Sequence, residues 1–175
     1  MGTRAFFAVI AALAVVALLG FGLIANDTAT VAVDEPVPDA PLPRLGGEGE
    51  AELADYRGKW VLVNFWASWC DPCRTESPTI ERFASRHRDE LIVVGINTED
   101  LTEDALAFVD EFDLSWEMLR DGEGERKDAF GIVALPESFL VDPQGRVALV
   151  RRGAVDEAYL AENVAPLLDS RPAGS

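Results

Sequence analysis

The chain has 175 residues, 49% hydrophobic and 26% charged, a composition that fits one globular domain with an extension and excludes a disordered polymer. Fifteen Lys and Arg against 31 Asp and Glu leave a net charge of −16, which excludes the positive footprint that a nucleic-acid binder needs. Two cysteines and one histidine exclude a multi-disulfide scaffold and can supply three of the four ligands of a structural zinc site.

Ala5 to Ala25 is a run of 21 residues without a charge. As a helix it spans about 30 Å, the thickness of the hydrocarbon layer. Arg4 precedes it, and Asp27, Asp34 and Glu35 follow, so the positive side faces the cytoplasm and the rest of the chain lies outside. Residues 1–25 are therefore read as a single-pass transmembrane anchor in the cell membrane. A cleaved signal peptide is the competing reading, and it too exports the remainder. Residues 26–45 carry four prolines (Pro36, Pro38, Pro41, Pro43) and read as a semi-rigid linker, whose later part can pack on the domain as an edge segment.

Residues 46–172 read as alternating strand and helix. The apolar run 60–66 predicts a central strand buried on both faces. A helix follows over 71–87, with Ile80, Phe83 and Ala84 on its inner face. Residues 91–96 form a second buried strand. Thr102 is placed as the cap of a helix over 103–112, with Leu106, Val109 and Phe112 inward. A short strand over 116–119, a turn at 121–124 and a short helix over 125–130 come next. Residues 137–141 and 146–151 read as a hairpin around Asp142-Pro143-Gln144-Gly145. A closing helix over 156–168 buries Tyr159, Leu160, Val164, Leu167 and Leu168. The order predicts an α/β fold with parallel strands first and an antiparallel hairpin after them.

The chemistry concentrates in Trp69-Cys70-Asp71-Pro72-Cys73, between the first long strand and the helix that follows. Two intervening residues let the sulfurs meet across the first helical turn, where Pro72 loses no hydrogen bond. Cys70 at the helix N-terminus is favoured as a thiolate by the free N–H groups and the helix dipole. Cys73, deeper in the helix, would resolve a mixed disulfide. A purely structural bridge is the plain alternative, but so short a loop removes little chain entropy.

WASWCDPCR, preceded by VLVNFW, resembles the thioredoxin superfamily, and more narrowly the membrane-anchored TlpA/ResA/CcmG (DsbE) group of thiol–disulfide oxidoreductases. The resemblance runs from about Leu42 to Leu168. LADYRGKWVLVNFWASWC, Pro78 five residues after Cys73, and GIVALPESFLVDPQGRV (131–147) carry it further. It implies a thioredoxin fold, a central mixed sheet flanked by helices. It also implies Cys70 as nucleophile, Cys73 as resolving thiol, and Glu76 as a buried acid handling the proton. Pro136 matches the proline whose preceding bond is cis, beside which an extended client segment pairs. Leu135, Pro136, Glu137 and Trp69 become the client-binding set, with Asp71 and Pro72 as the active-site loop. Leu135 is bulkier than the small residue of CcmG proteins, a departure from that subgroup. Asp71 disfavours a thiolate at Cys70 while Arg74 opposes it, and this balance predicts a reductant.

The function so implied is reduction of protein disulfides outside the cytoplasm by a dithiol/disulfide cycle that needs no metal and no cofactor beyond the cysteine pair. The expected partners are a disulfide-containing client, such as apocytochrome c, and a membrane thiol reductant as electron donor; a monomer is expected. Two alternatives stand beside it. A peroxiredoxin-type peroxidase would want Thr three residues before its reactive cysteine, where Ala67 stands. A copper-site assembly protein would want a distal histidine, for which His87 is the candidate. Arg82, Arg86, His87 and Arg88 otherwise read as a solvated helix face.

Overall fold

The computed structural model describes residues 31–169; the expected membrane helix lies outside the described residues. Among the described residues no helix is long and apolar enough to cross a membrane. Two short strands, β1 (Leu42–Pro43) and β2 (Glu50–Ala51), pair with each other. They are followed by β3 (Trp60–Trp66), α1 (Asp71–Arg86), β4 (Leu91–Thr98), α2 (Thr102–Glu111), β5 (Glu117–Asp121), α3 (Glu125–Ala129), β6 (Glu137–Val141) and β7 (Val147–Arg152). The closing helix, α4, comprises Glu157–Tyr159, a wide π turn Leu160–Val164, and Ala165–Asp169. The wide turn sits just before Pro166, whose ring and missing N–H cannot be fitted into a regular α-helical turn.

The five-stranded sheet has the order β5-β4-β3-β6-β7, with β3, β4 and β5 parallel and β6 and β7 antiparallel to their neighbours. This is the thioredoxin-like mixed sheet. The two-residue period of β3 decides what lies on each side. Val61, Val63 and Phe65 face a core with Phe130, Phe139 and the N-terminal stretch. Leu62 faces the opposite core, built by Ile80 and Phe83 of α1 and by Leu160, Val164 and Leu168 of α4. Asn64 shares the parity of Leu62, so it too points under α1. In β4, Gly95 leaves the space that Met118 and Trp66 need: a Cβ there would come within 2.6 Å of the Met118 sulfur.

Two expectations change. The described part of the expected linker, residues 31–45, is folded onto the domain: the later part packs along a sheet edge as expected, and the earlier part does so too instead of forming a stalk. Val31 and Val37 are buried in the core, and the backbone covers both sheet edges. At one edge the Asp34 N–H donates to the Val147 carbonyl (2.8 Å) and the Val147 N–H to the Glu35 carbonyl (2.9 Å); at the other the Leu45 N–H donates to the Met118 carbonyl (2.8 Å). Proline is tolerated in such edge positions, so a proline-rich composition does not require a free stalk. Arg126, itself buried, clamps the segment by donating to the carbonyls of Pro38 (2.6 Å) and Ala40 (2.7 Å).

The second change is in α2. It begins at Thr102, with Leu101 in the cap position and no side-chain cap. Its buried residues are Ala105 and Phe108, not Leu106, because Phe108 stacks on Trp66 at 4.6 Å between ring centroids. Leu106 instead lies against Gly46, partly exposed.

Candidate active site

β3 ends at Trp66 and the chain turns through Ala67, Ser68 and Trp69 into α1, with Cys70 as its cap residue. Cys70 and Cys73 form a disulfide. The Cys73 N–H donates to the Cys70 sulfur at 3.3 Å, the bond that a cap residue makes at the start of a helix. When the disulfide opens, a thiolate at Cys70 keeps that donor and the positive end of the helix dipole. Cys73 is fully buried and Cys70 nearly so. Asp71 and Pro72 are exposed in the first turn. Arg74 pairs with Glu111 of α2 and lies 5.0 Å from the centre of the Phe112 ring. Its charge is thus partly spent on Glu111, which leaves Asp71 less opposed than the sequence implies.

One helical turn beyond Cys73, Glu76 is 1% exposed. Its Oε1 accepts from Asn64 Nδ2 and its Oε2 from the Val155 N–H, both at 2.8 Å. Burial pushes its carboxyl up to about 7, against the pull of those two donors and of the Arg151 charge. A carboxyl poised there can take or give a proton near neutral pH. Asn64 also donates to Ser138 Oγ at 3.0 Å, so α1, β3, β6 and the segment before α4 meet at one polar cluster.

Leu135 is half-buried and packs against the apolar cluster that contains both cysteines, and the Leu135–Pro136 bond is cis, as expected. Pro136 is buried. Glu137 is buried at the start of β6 and paired with Arg152 at 3.4 Å, with burial raising its carboxyl and Arg152 opposing the rise. Four of the expected client-binding residues therefore divide. Trp69 is 61% exposed, Leu135 lines the cysteine cluster, and Pro136 and Glu137 lie beneath the surface.

The sequence reading passed over the loop between β4 and α2. Asp100 accepts from the Ser68 N–H (2.6 Å) and Oγ (2.8 Å), from Asn97 Nδ2 (2.8 Å) and from the Leu101 N–H (2.9 Å). Trp69 Nε1 donates to the Glu99 carbonyl at 3.1 Å. The turn before Cys70 is thereby tied to a second loop, and the free acceptor valences of an aspartate two residues past a buried strand were the available signal. Leu101 and, in the loop before Pro136, Val133 join Trp69 as exposed large apolar residues on the three loops that meet at the disulfide. Asn64 was also missed, although a lone polar residue in an apolar strand marks it.

Comparison with known proteins agrees with this geometry. Residues 33–150 match the AhpC/TSA family. The thiol-disulfide oxidoreductase ResA of Oceanobacillus iheyensis is 31% identical over 167 residues, covering 88% of this chain and 85% of its own length. The thiol:disulfide interchange protein HelX of Rhodobacter capsulatus is 33% identical over 145 residues, covering 82% and 81%. Among solved structures, that of a putative thiol:disulfide interchange protein DsbE from Chlorobium tepidum superposes with a TM-score of 0.74 at 29% identity, covering 79% of this chain and 99% of that one. A cysteine pair capping α1, set in this sheet and matched by these relatives, is the site of a thiol–disulfide oxidoreductase, and the chain belongs to the thioredoxin-like AhpC/TSA family.

Proposed function

We propose that this oxidoreductase is a membrane-anchored reductant of protein disulfides, held outside the cytoplasm by the apolar segment 5–25, with apocytochrome c among its clients. The Cys70 thiolate attacks one sulfur of the client disulfide, giving a mixed disulfide and a client thiolate. Cys73 loses its proton to Glu76 and attacks the Cys70 sulfur. The second client sulfur leaves with its electron pair, and the two client thiolates take up two protons, one returned by Glu76 and one from solvent. The client disulfide ends as two thiols and the dithiol as the Cys70–Cys73 disulfide. A membrane thiol reductant restores the dithiol. The client segment lies in extended form along residues 133–136, over Leu135 with the buried Pro136 beneath it, and with Trp69 and Val133 at its margins. Glu137 acts from behind, through Arg152.

The observation that carries this reading is the buried Glu76 one turn from Cys73, on the same helix as the capping Cys70. The reductant direction rests on Asp71, exposed beside Cys70, with Arg74 engaged by Glu111. The test is the equilibrium reduction potential of the pair in the full chain. A value at or below about −250 mV, in the range of thioredoxin, supports the reductant; a value near about −120 mV makes it an oxidant and overturns the direction. The copper alternative is disfavoured by His87, which follows the last residue of α1 and packs, tilted by 37°, against the Phe83 ring at 4.4 Å between centroids. It lies 14 residues beyond Cys73, about 21 Å along the helix.

A further inference from the structure

We propose that Asn64 is a positioning residue for Glu76, turning its side-chain nitrogen to the ionised carboxylate and its side-chain oxygen to the protonated acid. The two states exchange by a half-turn of the amide about χ2. The inference rests on Glu76 being the proton carrier of the proposed function.

The geometry requires some such device. Each Glu76 oxygen meets a donor, Asn64 Nδ2 at Oε1 and the Val155 N–H at Oε2. Both bonds suit the carboxylate. Once protonated, the carboxyl carries its own O–H, which needs an acceptor where a donor now stands. The Val155 N–H belongs to the backbone and cannot change role. The Asn64 amide can, and among the described residues its Oδ1 is buried with no hydrogen-bond partner. In either orientation one amide atom faces that partnerless place, Oδ1 now and Nδ2 after the turn, so the place does not hold the amide to one orientation. Turning the amide brings Oδ1 to the place of Nδ2, facing Glu76 at 2.8 Å and Ser138 Oγ at 3.0 Å. The Ser138 hydroxyl accommodates either state, accepting from Nδ2 in one and donating to Oδ1 in the other.

The surroundings hold the rest fixed. β3 contributes Asn64, β6 contributes Ser138, and the segment before α4 contributes the Val155 N–H. The charge that acts on Glu76 from the neighbouring strand is Arg151 of β7. It lies 4.7 Å from the centre of the Tyr159 ring and donates to the Ala154 carbonyl at 3.3 Å. On α1 itself the titrating neighbours, in the reduced state, are Cys70 and Cys73. Asn64 is fully buried and beyond a client's reach, so it acts through Glu76 alone.

The test uses the full chain in detergent micelles, oxidised so that neither cysteine titrates, with 15N-labelled Asn and 13C-labelled Glu. The side-chain amide resonances of Asn64 are expected to shift with the same pH midpoint as the Glu76 carboxyl carbon. An Asn64 amide that stays constant while Glu76 titrates overturns the proposal. Asn64→Leu removes both faces of the amide and raises the proton affinity of Glu76 on the order of tenfold, because the bond lost from the charged carboxylate is stronger than the one lost from the protonated acid. In the reduced protein the pH profile of disulfide exchange moves by the same amount with KM unchanged; an unmoved profile also counts against Asn64. Glu76→Gln separates the two readings. If it leaves the pH profile of exchange intact, the proton-carrier role fails. In the unsubstituted chain the through-hydrogen-bond coupling between the Asn64 side-chain nitrogen and the Glu76 carboxyl carbon decides whether the amide turns: it is expected above the Glu76 midpoint and lost below it, and a coupling kept at both ends of the titration overturns the proposal.

Discussion

Replacing Glu76 by Gln should remove most of one pH-dependent component of stability. The carboxyl moves from the ordinary 4.5 to about 7 on folding, chiefly through burial. Because its affinity for the proton is higher in the folded state, unfolding releases a proton between those two values. Stability from this group therefore falls as pH rises from about 4.5 to about 7 and stays low above it. At about 1.4 kcal/mol per pH unit the loss amounts to about 3 kcal/mol. Gln has the same shape and keeps an acceptor for the Val155 N–H, but it does not titrate. Any change in hydrogen bonding it causes with Asn64 is the same at every pH, so it displaces the curve without bending it. Urea unfolding of the oxidised full chain at intervals from pH 4 to pH 9 supplies the measurement. The Gln variant should gain about 3 kcal/mol relative to the parent between pH 4.5 and pH 8. Parallel curves for the two proteins would refute the argument, because they would mean that the carboxyl keeps its solution affinity despite being 1% exposed.

Arg126→Ala removes the two donors that hold Pro38 and Ala40, leaving their carbonyls without that clamp; we expect a loss of roughly 2 kcal/mol and early proteolytic cleavage within 31–45. Unchanged protease resistance would show that the buried valines suffice alone. Val133→Ser, at a residue 91% exposed, should leave stability and reduction potential unchanged while raising KM for a protein disulfide by up to about tenfold, the value of burying one valine. An unchanged KM would move the client contact away from residues 133–136.

The central strands were readable because continuous apolar runs bounded by turn residues leave little choice. The helix start at Cys70 followed from Pro72 and the spacing of the cysteines. The cis bond before Pro136 came by resemblance and not from any local rule. What was misread has identifiable causes. In α2 the cap was assigned to Thr102 because Thr is a common cap residue. Asp100 ties the preceding loop instead, by accepting from Ser68 and the Leu101 N–H. Val109 and Phe112 pack on the core as expected, and the inner face is completed by Ala105 and Phe108, each four residues before one of them, in place of Leu106. In residues 31–45 the prolines outweighed a quieter signal, the apolar Val31 and Val37, both of which prove buried.

The departures from local rules also sort themselves by place. Arg126, a buried cation, contributes to architecture: its guanidinium supplies donors to backbone that no strand could pair. Asn64, Glu76 and Trp69 break the rules at the site itself, as an amide in an apolar strand, an acid on a buried helix face and an indole left in solvent. A leucine at 64 and another at 76 would satisfy the pattern of β3 and α1 and spare the fold the cost of a buried carboxylate. Keeping the acid there costs about 3 kcal/mol above neutral pH, by the same 4.5-to-7 displacement. That is a sizeable fraction of the net stability of a small domain. A packing role does not account for such a cost, since an apolar side chain packs as well. The proposed proton site one turn from a buried thiol would account for it, and an amide beside the acid suits that role: a leucine at 64 has no donor to offer, and a lysine could not accept.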